Sequence, residues 1–159
     1  MYSSIQIANY FVKKAKEDEV SITNMKLQKL VYISHGFHLA FFDEPLVVEK
    51  VQAWDYGPVI PEIYHGFKEY GSGPIEGYCS QWFRPDIVDD NSISQFLNAI
   101  WASYGSLGAV DLSALTHQED SPWSQVYQPG VKGSVISNDI IKKHYALKVK
   151  NIREGVGRG

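Results

Sequence analysis

Hydrophobic positions recur along most of this chain at spacings of three and four, so the pattern reads as a series of helices joined by brief extended pieces. Ile5, Ala8, Phe11, Val12 and Ala15 make one face of a first helix, which Ser3 or Ser4 can cap. The acidic cluster Glu17-Asp18-Glu19 opposes the dipole at a helix C-terminus, so that helix is expected to end there. Thr23 opens the next helix, running to about Phe42. Its main stripe is Leu27, Leu30, Val31, Ser34, Phe37, His38 and Phe41. Tyr32, Ile33 and Leu39 fall outside that stripe, which predicts burial on more than one side. Gly36 in its middle costs about 1 kcal/mol against Ala, a cost that close approach of a backbone or an aromatic ring would offset.

Asp43-Glu44-Pro45 ends this helix, and Leu46 to Trp54 reads as one or two short extended pieces. Tyr56-Gly57-Pro58 is a turn signal, and Pro61 suits the first turn of a helix through Tyr70 with Ile63, Tyr64 and Phe67 facing inward. After the loop Gly71-Ser72-Gly73-Pro74, Ile75 to Phe83 reads as an edge strand. Asn91 or Ser92 caps a helix carrying Phe96, Leu97, Ile100, Trp101 and Tyr104; Ser106 to Thr116 adds a helix-turn. A further turn of helix follows Ser121-Pro122-Trp123, and Ser137 caps a last helix with Ile140, Ile141 and Tyr145. The expected fold is mainly α (α+β): a single compact helical domain of five to seven helices with a small β-hairpin or short sheet.

Composition agrees with one folded domain of 159 residues, 44% hydrophobic and 21% charged. No apolar run reaches the ~18 residues a membrane span needs, and the N-terminus lacks the order of a secretory signal. One cysteine excludes an intrachain disulfide. A cytoplasmic protein is the simplest reading. Net charge is −3, but residues 142–159 carry six Lys or Arg against one Glu, which leaves −8 on residues 1–141. That acidic body argues against a nucleic-acid binder. Residues 146–159 are expected to form a basic, flexible tail behind a domain spanning 1–145.

Candidate chemistry is sparse. His35 and His38 sit at neighbouring positions of one helix and could share a metal with His65, His117 or His144, but no local motif supplies a third ligand. A histidine hydrogen-bonded near the core is the favoured reading. Cys79 lies in no nucleophile motif and reads as a small apolar residue. Gly71-Ser72-Gly73 is not a phosphate loop, and Asp89-Asp90 and Glu119-Asp120 read as caps and solvated turns. No catalytic residue, metal or cofactor is expected. What remains is the aromatic turn, with Trp54, Tyr56, Pro58, Pro61 and Tyr64 close together in sequence. Rigid aromatic groups of this kind are enriched at interface hot spots, and equally they can close one end of a core.

Taken in order, Lys26-Leu27-Gln28-Lys29-Leu30, Ala53-Trp54, Tyr56-Gly57-Pro58-Val59, Thr116-His117 and Pro122-Trp123 resemble the Panacea-domain family, which includes phage-associated proteins and SocA-like antitoxins. The likeness runs from about Ile5 to Val126. It implies an antitoxin of a two-gene toxin–antitoxin module that neutralises a cognate toxin by protein–protein contact. One SocA-like branch acts instead as an adaptor delivering its toxin to a AAA+ protease. The resemblance implies no enzymatic activity and identifies no catalytic residue. Some relatives add a DNA-binding module; here neither end of the sequence carries one, so operator binding is not expected. A metal-dependent enzyme or a nucleic-acid-binding protein ranks below both readings, and self-association is compatible with the pattern. Lys26, Lys29, Tyr32, Trp54, Tyr56, Pro58 and Tyr64 are the candidate partner-binding residues.

Overall fold

A computed structural model of the protein describes residues 1–81, 84–85 and 87–155. In chain order the elements are α1 (Ser4–Glu17), α2 (Asn24–Phe42), β1 (Val51–Trp54), β2 (Gly57–Val59), α3 (Pro61–Gly66), a 3₁₀ turn (Lys68–Tyr70), β3 (Ser80–Gln81), β4 (Arg84–Pro85), α4 (Asn91–Tyr104), α5 (Ala109–Thr116), α6 (Pro122–Val126), β5 (Ser134–Ile136) and α7 (Asn138–Arg153). The fold is mainly α with a small antiparallel sheet, as the periodicity predicts. None of these helices is long and apolar enough to cross a membrane.

The second helix is the axis of the molecule. α1, α3, α4, α5 and α7 all pack on it, as does β2, so its residues from Lys26 to Leu39 are buried on every side. Thr23 caps it through its hydroxyl, which accepts from the Lys26 amide at 3.3 Å. Ser3 caps α1 in a reciprocal box with Gln6, and Glu49 accepts from the Ser4 amide through both carboxylate oxygens, at 3.0 and 2.7 Å. At the other end of α1 an acid is indeed the cap, because Trp101 Nε1 donates to Asp18 at 2.6 Å and holds it.

Gly36 meets the expectation set by its sequence position. A Cβ there would lie 2.7 Å from Cγ of Tyr145 on α7 and closer still to two other ring atoms. The glycine lets α7 press its tyrosine directly onto the backbone of α2.

Several expectations need correction. Phe41 falls on the stripe that periodicity predicts to be buried, yet it is 49% exposed and Phe42 is 55% exposed. Both rings lie on the outer side of the last turn, where Phe41 stacks on Phe37 and Phe42 meets Phe96 edge-on. Tyr64 is also outside the core, at 37% exposed, although Ile63 and Phe67 are buried. The helix from Pro61 breaks at Gly66 and resumes as the 3₁₀ turn. The cap of α4 is Asp90, whose carboxylate accepts from the Ser92 amide at 3.0 Å. In the expected edge strand 75–83, only Ser80–Gln81 is strand among the described residues; Trp82 and Phe83 lie outside them. The division at 145/146 matches no break in structure. Ile141, Tyr145 and Val149 are one turn apart on one buried face, so α7 continues through the basic segment to Arg153. Residues 156–159 of the expected tail lie outside the described residues.

His35 is fully buried between α2 and its surroundings. The Val47 amide donates to Nδ1 at 3.4 Å, so Nε2 carries the proton and donates to Asn138 Oδ1 at 2.9 Å. Burial lowers its pKa below the usual 6.5, outweighing the opposing effect of the Asn138 bond. The unfolded chain therefore binds the extra proton first, and stability is present above 6.5 and lost as pH falls. Urea unfolding between pH 7.5 and 5 should show a loss of up to about 1.4 kcal/mol per pH unit from this group. The His35→Gln variant should lack that component; an identical pH slope in both would remove His35 as its source.

Candidate functional site

β1 and β2 form a hairpin in which Trp54 pairs with Gly57, leaving Asp55-Tyr56 as the tip. Gly57 has φ +114, a conformation that favours glycine. β5 adds to the other edge of β1, pairing Val51 with Ile136, so the sheet order is β2-β1-β5. The tip is held from behind by three bonds. Trp123 Nε1 donates to the Trp54 carbonyl at 2.6 Å, and the Ser113 hydroxyl donates to the Tyr56 carbonyl at 2.8 Å. The Tyr127 hydroxyl donates to Asp55 at 2.7 Å, and this bond raises its pKa above the usual tyrosine value. Trp123 and Tyr127 stack with ring centres 4.4 Å apart. On a tip so held, Tyr56 projects outward at 70% exposed.

In front of the hairpin lies a groove of about 760 Å³, a size typical of binding pockets. Its walls are Trp54, Asp55, Tyr56, Val59, Gln52 and Tyr64 on one side and the start of α2, Thr23 to Met25, on another. Gly71, Ser72, Ala109 and the loop Val131-Lys132-Gly133 complete the rim. Trp54 meets Tyr64 edge-on at 5.1 Å, and its indole Nε1 donates to Gln52 at 3.0 Å. The polar floor is largely satisfied by itself. Asn24 donates to the Tyr64 carbonyl at 3.1 Å; Gln28 donates to Asn24 at 3.2 Å and accepts from the Ile60 amide at 2.9 Å.

Lys29 is the exception on that floor. It is 1% exposed, and Nζ donates to the Pro58 carbonyl at 2.9 Å. No carboxylate forms an ion pair with it among the described residues. Desolvation alone pushes its pKa down to about 7. Gly57 makes room for it, since a Cβ there would lie 3.1 Å from Nζ.

The seven candidate residues thus separate into groups. Lys29, Trp54, Tyr56 and Tyr64 line one groove. Pro58 is buried and contributes the carbonyl that takes Lys29. Lys26, Lys29 and Tyr32, the three contact candidates on the helix, are all buried because α2 is enclosed all round, and of the three only Lys29 borders the groove. Lys26 spans to the Gly105 carbonyl at 2.6 Å and lies 5.6 Å from the Trp101 ring centre. Tyr32 packs edge-on against Tyr145 at 5.9 Å, and burial raises its pKa. No local pattern marks Val131, Lys132 and Gly133, which reach the groove because β5 pairs with β1.

His38 Nδ1 lies 2.6 Å from the Glu44 carbonyl, beside the His35 network. Among the described residues no group of three or more His, Cys, Asp or Glu is placed to hold a metal. Burial, with a smaller contribution from Glu69, raises the Cys79 pKa, which disfavours the thiolate.

Comparison with known proteins locates this architecture. A family model described as Antitoxin SocA-like, Panacea domain, matches residues 27–124. The protein named Antitoxin SocA of Caulobacter vibrioides (strain NA1000 / CB15N) is 28% identical over 167 residues, covering 96% of this chain and 87% of that protein. No solved structure matches the chain.

Proposed function

This chain belongs to the SocA-like antitoxin, Panacea-domain family, and from that membership we propose that it is the antitoxin of a two-gene module, neutralising a cognate toxin by direct contact at the aromatic groove. The observation that carries the reading is Tyr56, a ring 70% exposed on a hairpin tip whose backbone is held by Trp123 and Ser113 and whose Asp55 carboxylate is held by Tyr127. A large ring on a fixed support loses little freedom when a partner covers it, so less of the contact energy is offset by the cost of ordering it. Trp54 and Tyr64 continue the same surface into the groove. The action is contact, without a catalysed step.

The test is expression of the neighbouring gene's product with and without this chain. Its expression alone should arrest growth, while co-expression should restore growth and yield a co-purified complex. A harmless neighbour that does not co-purify would reject the reading. A toxin whose half-life shortens only when this chain and a AAA+ protease are both present would make the chain a delivery adaptor.

Tyr56→Ala sharpens the same experiment. Its side chain does little for the fold, so unfolding should move by no more than about 0.5 kcal/mol. Affinity for the toxin should fall ten- to a hundredfold, about 1.4–3 kcal/mol. Titration calorimetry beside a thermal melt checks both; unchanged affinity would exclude the tip from the interface.

A further inference from the structure

We infer that the groove receives a partner segment whose apolar side chains lie against Trp54 and Tyr64 while one Asp or Glu side chain descends to Lys29. The inference rests on the antitoxin reading for the kind of partner, a protein, and adds the chemistry of the segment.

The argument begins with what is left unmatched. An ammonium removed from water is costly unless paired. Lys29 has three donors and one neutral acceptor, the Pro58 carbonyl at 2.9 Å. Asn24 and Gln28, its polar neighbours on the floor, bond to each other and to backbone, and offer it no negative charge. The carboxylate on the rim, Asp55, is engaged by Tyr127. The walls meanwhile are rich in apolar surface from Met25, Val59 and Val131 beside the two aromatic rings. A cation at the base of an apolar slot selects one charge in a mainly hydrophobic segment. A carboxylate reaching Nζ would supply the charge-assisted bonds the isolated chain lacks, and the low-dielectric walls would strengthen them. Burial lowers the Lys29 pKa to about 7, as expected for a cation with no counter-charge in the free protein.

The probe is a library of blocked peptides with a fixed central glutamate flanked by randomised apolar residues. A second library carries glutamine at the centre, and a third adds a free C-terminal carboxylate to the glutamine peptides. Binding is followed by the Trp54 indole signal in ¹⁵N NMR. The glutamate library should saturate at a concentration at least tenfold lower than the glutamine library. In Lys29→Met, which keeps the unbranched stem and removes the charge, that preference should vanish. Lys132→Met, which removes the other cation at the rim, should retain it.

Equal binding of glutamate and glutamine by the unmodified chain overturns the inference. So does a preference that survives in Lys29→Met. Tight binding of the free-carboxylate library assigns the lysine to a chain terminus and overturns the side-chain source. A thermal melt of Lys29→Met at or above the parent confirms that its loss of preference is local. Toxin neutralisation without glutamate preference rejects this inference and leaves the antitoxin reading intact; the reverse result rejects only the antitoxin reading.

Discussion

Gly36→Ala is expected to destabilise the protein by about 2–3 kcal/mol, although alanine is the better helix former. Propensity alone favours the substitution by about 1 kcal/mol. Against that stands a Cβ placed 2.7 Å from Cγ of Tyr145 and nearer to its ring edge. The ring has no free space to turn into. It is 3% exposed, and Phe37 meets it at 4.9 Å and Tyr32 at 5.9 Å, both edge-on. Relief therefore requires α7 to move away from α2, which puts the overpacking cost at the upper end of the usual range or just beyond it, about 3–4 kcal/mol before the propensity gain is subtracted. At a chain of this size the loss should lower the melting temperature by roughly 5–10 °C. A Tyr145→Leu background tests the mechanism. Leucine gives the methyl group room, so the same substitution should cost at least about 1 kcal/mol less there. Equal costs in both backgrounds, by urea unfolding, would show that the ring is not the cause.

That glycine also shows what the sequence made legible. A helix apolar outside its main stripe, interrupted by one glycine, could be read as an enclosed helix with a close neighbour, since both features are local. Caps at Ser3, Thr23 and Ser137 were legible for the same reason. The groove was legible only in part. Trp54, Tyr56 and Tyr64 announce themselves by residue type, but nothing local brings Val131 and Lys132 beside them. That requires Val51 to pair with Ile136 across more than half the chain, and short strands carry too little pattern to specify such a partner. The lysines show the opposite failure. A charged residue on a helix is normally read as solvated, yet α2 is enclosed on every side, and Lys26 and Lys29 must end on backbone carbonyls instead. Phe41 errs the other way, because periodicity says which face an apolar residue shares and not how completely neighbouring elements cover that face at the last turn.

Lys29→Met is expected to make the free protein more stable by about 2–4 kcal/mol at pH 6, with an advantage that shrinks as pH rises. Burial lowers the lysine pKa from 10.5 to about 7. Each unit of such a shift corresponds to about 1.4 kcal/mol, and loss of the Pro58 bond returns about 1 kcal/mol. The sign follows from proton counting. Below pH 7 the lysine is charged both folded and unfolded, so the whole cost of burying the charge is present. Between 7 and 10.5 the unfolded chain keeps its proton while the folded chain releases it, so the wild type gains stability as pH rises. Methionine has no proton to exchange, and every other titrating group is common to both proteins. The gap should therefore stay level below pH 7 and close by about 1.4 kcal/mol per unit above it. Urea unfolding of both proteins at pH 6, 7.5 and 9 checks this. A gap independent of pH, or a wild type more stable at pH 6, would mean that Lys29 is solvated or paired in the folded chain. A stabilising substitution at a groove floor is what a binding role predicts, because a charge held ready for a partner weakens the protein that waits for it.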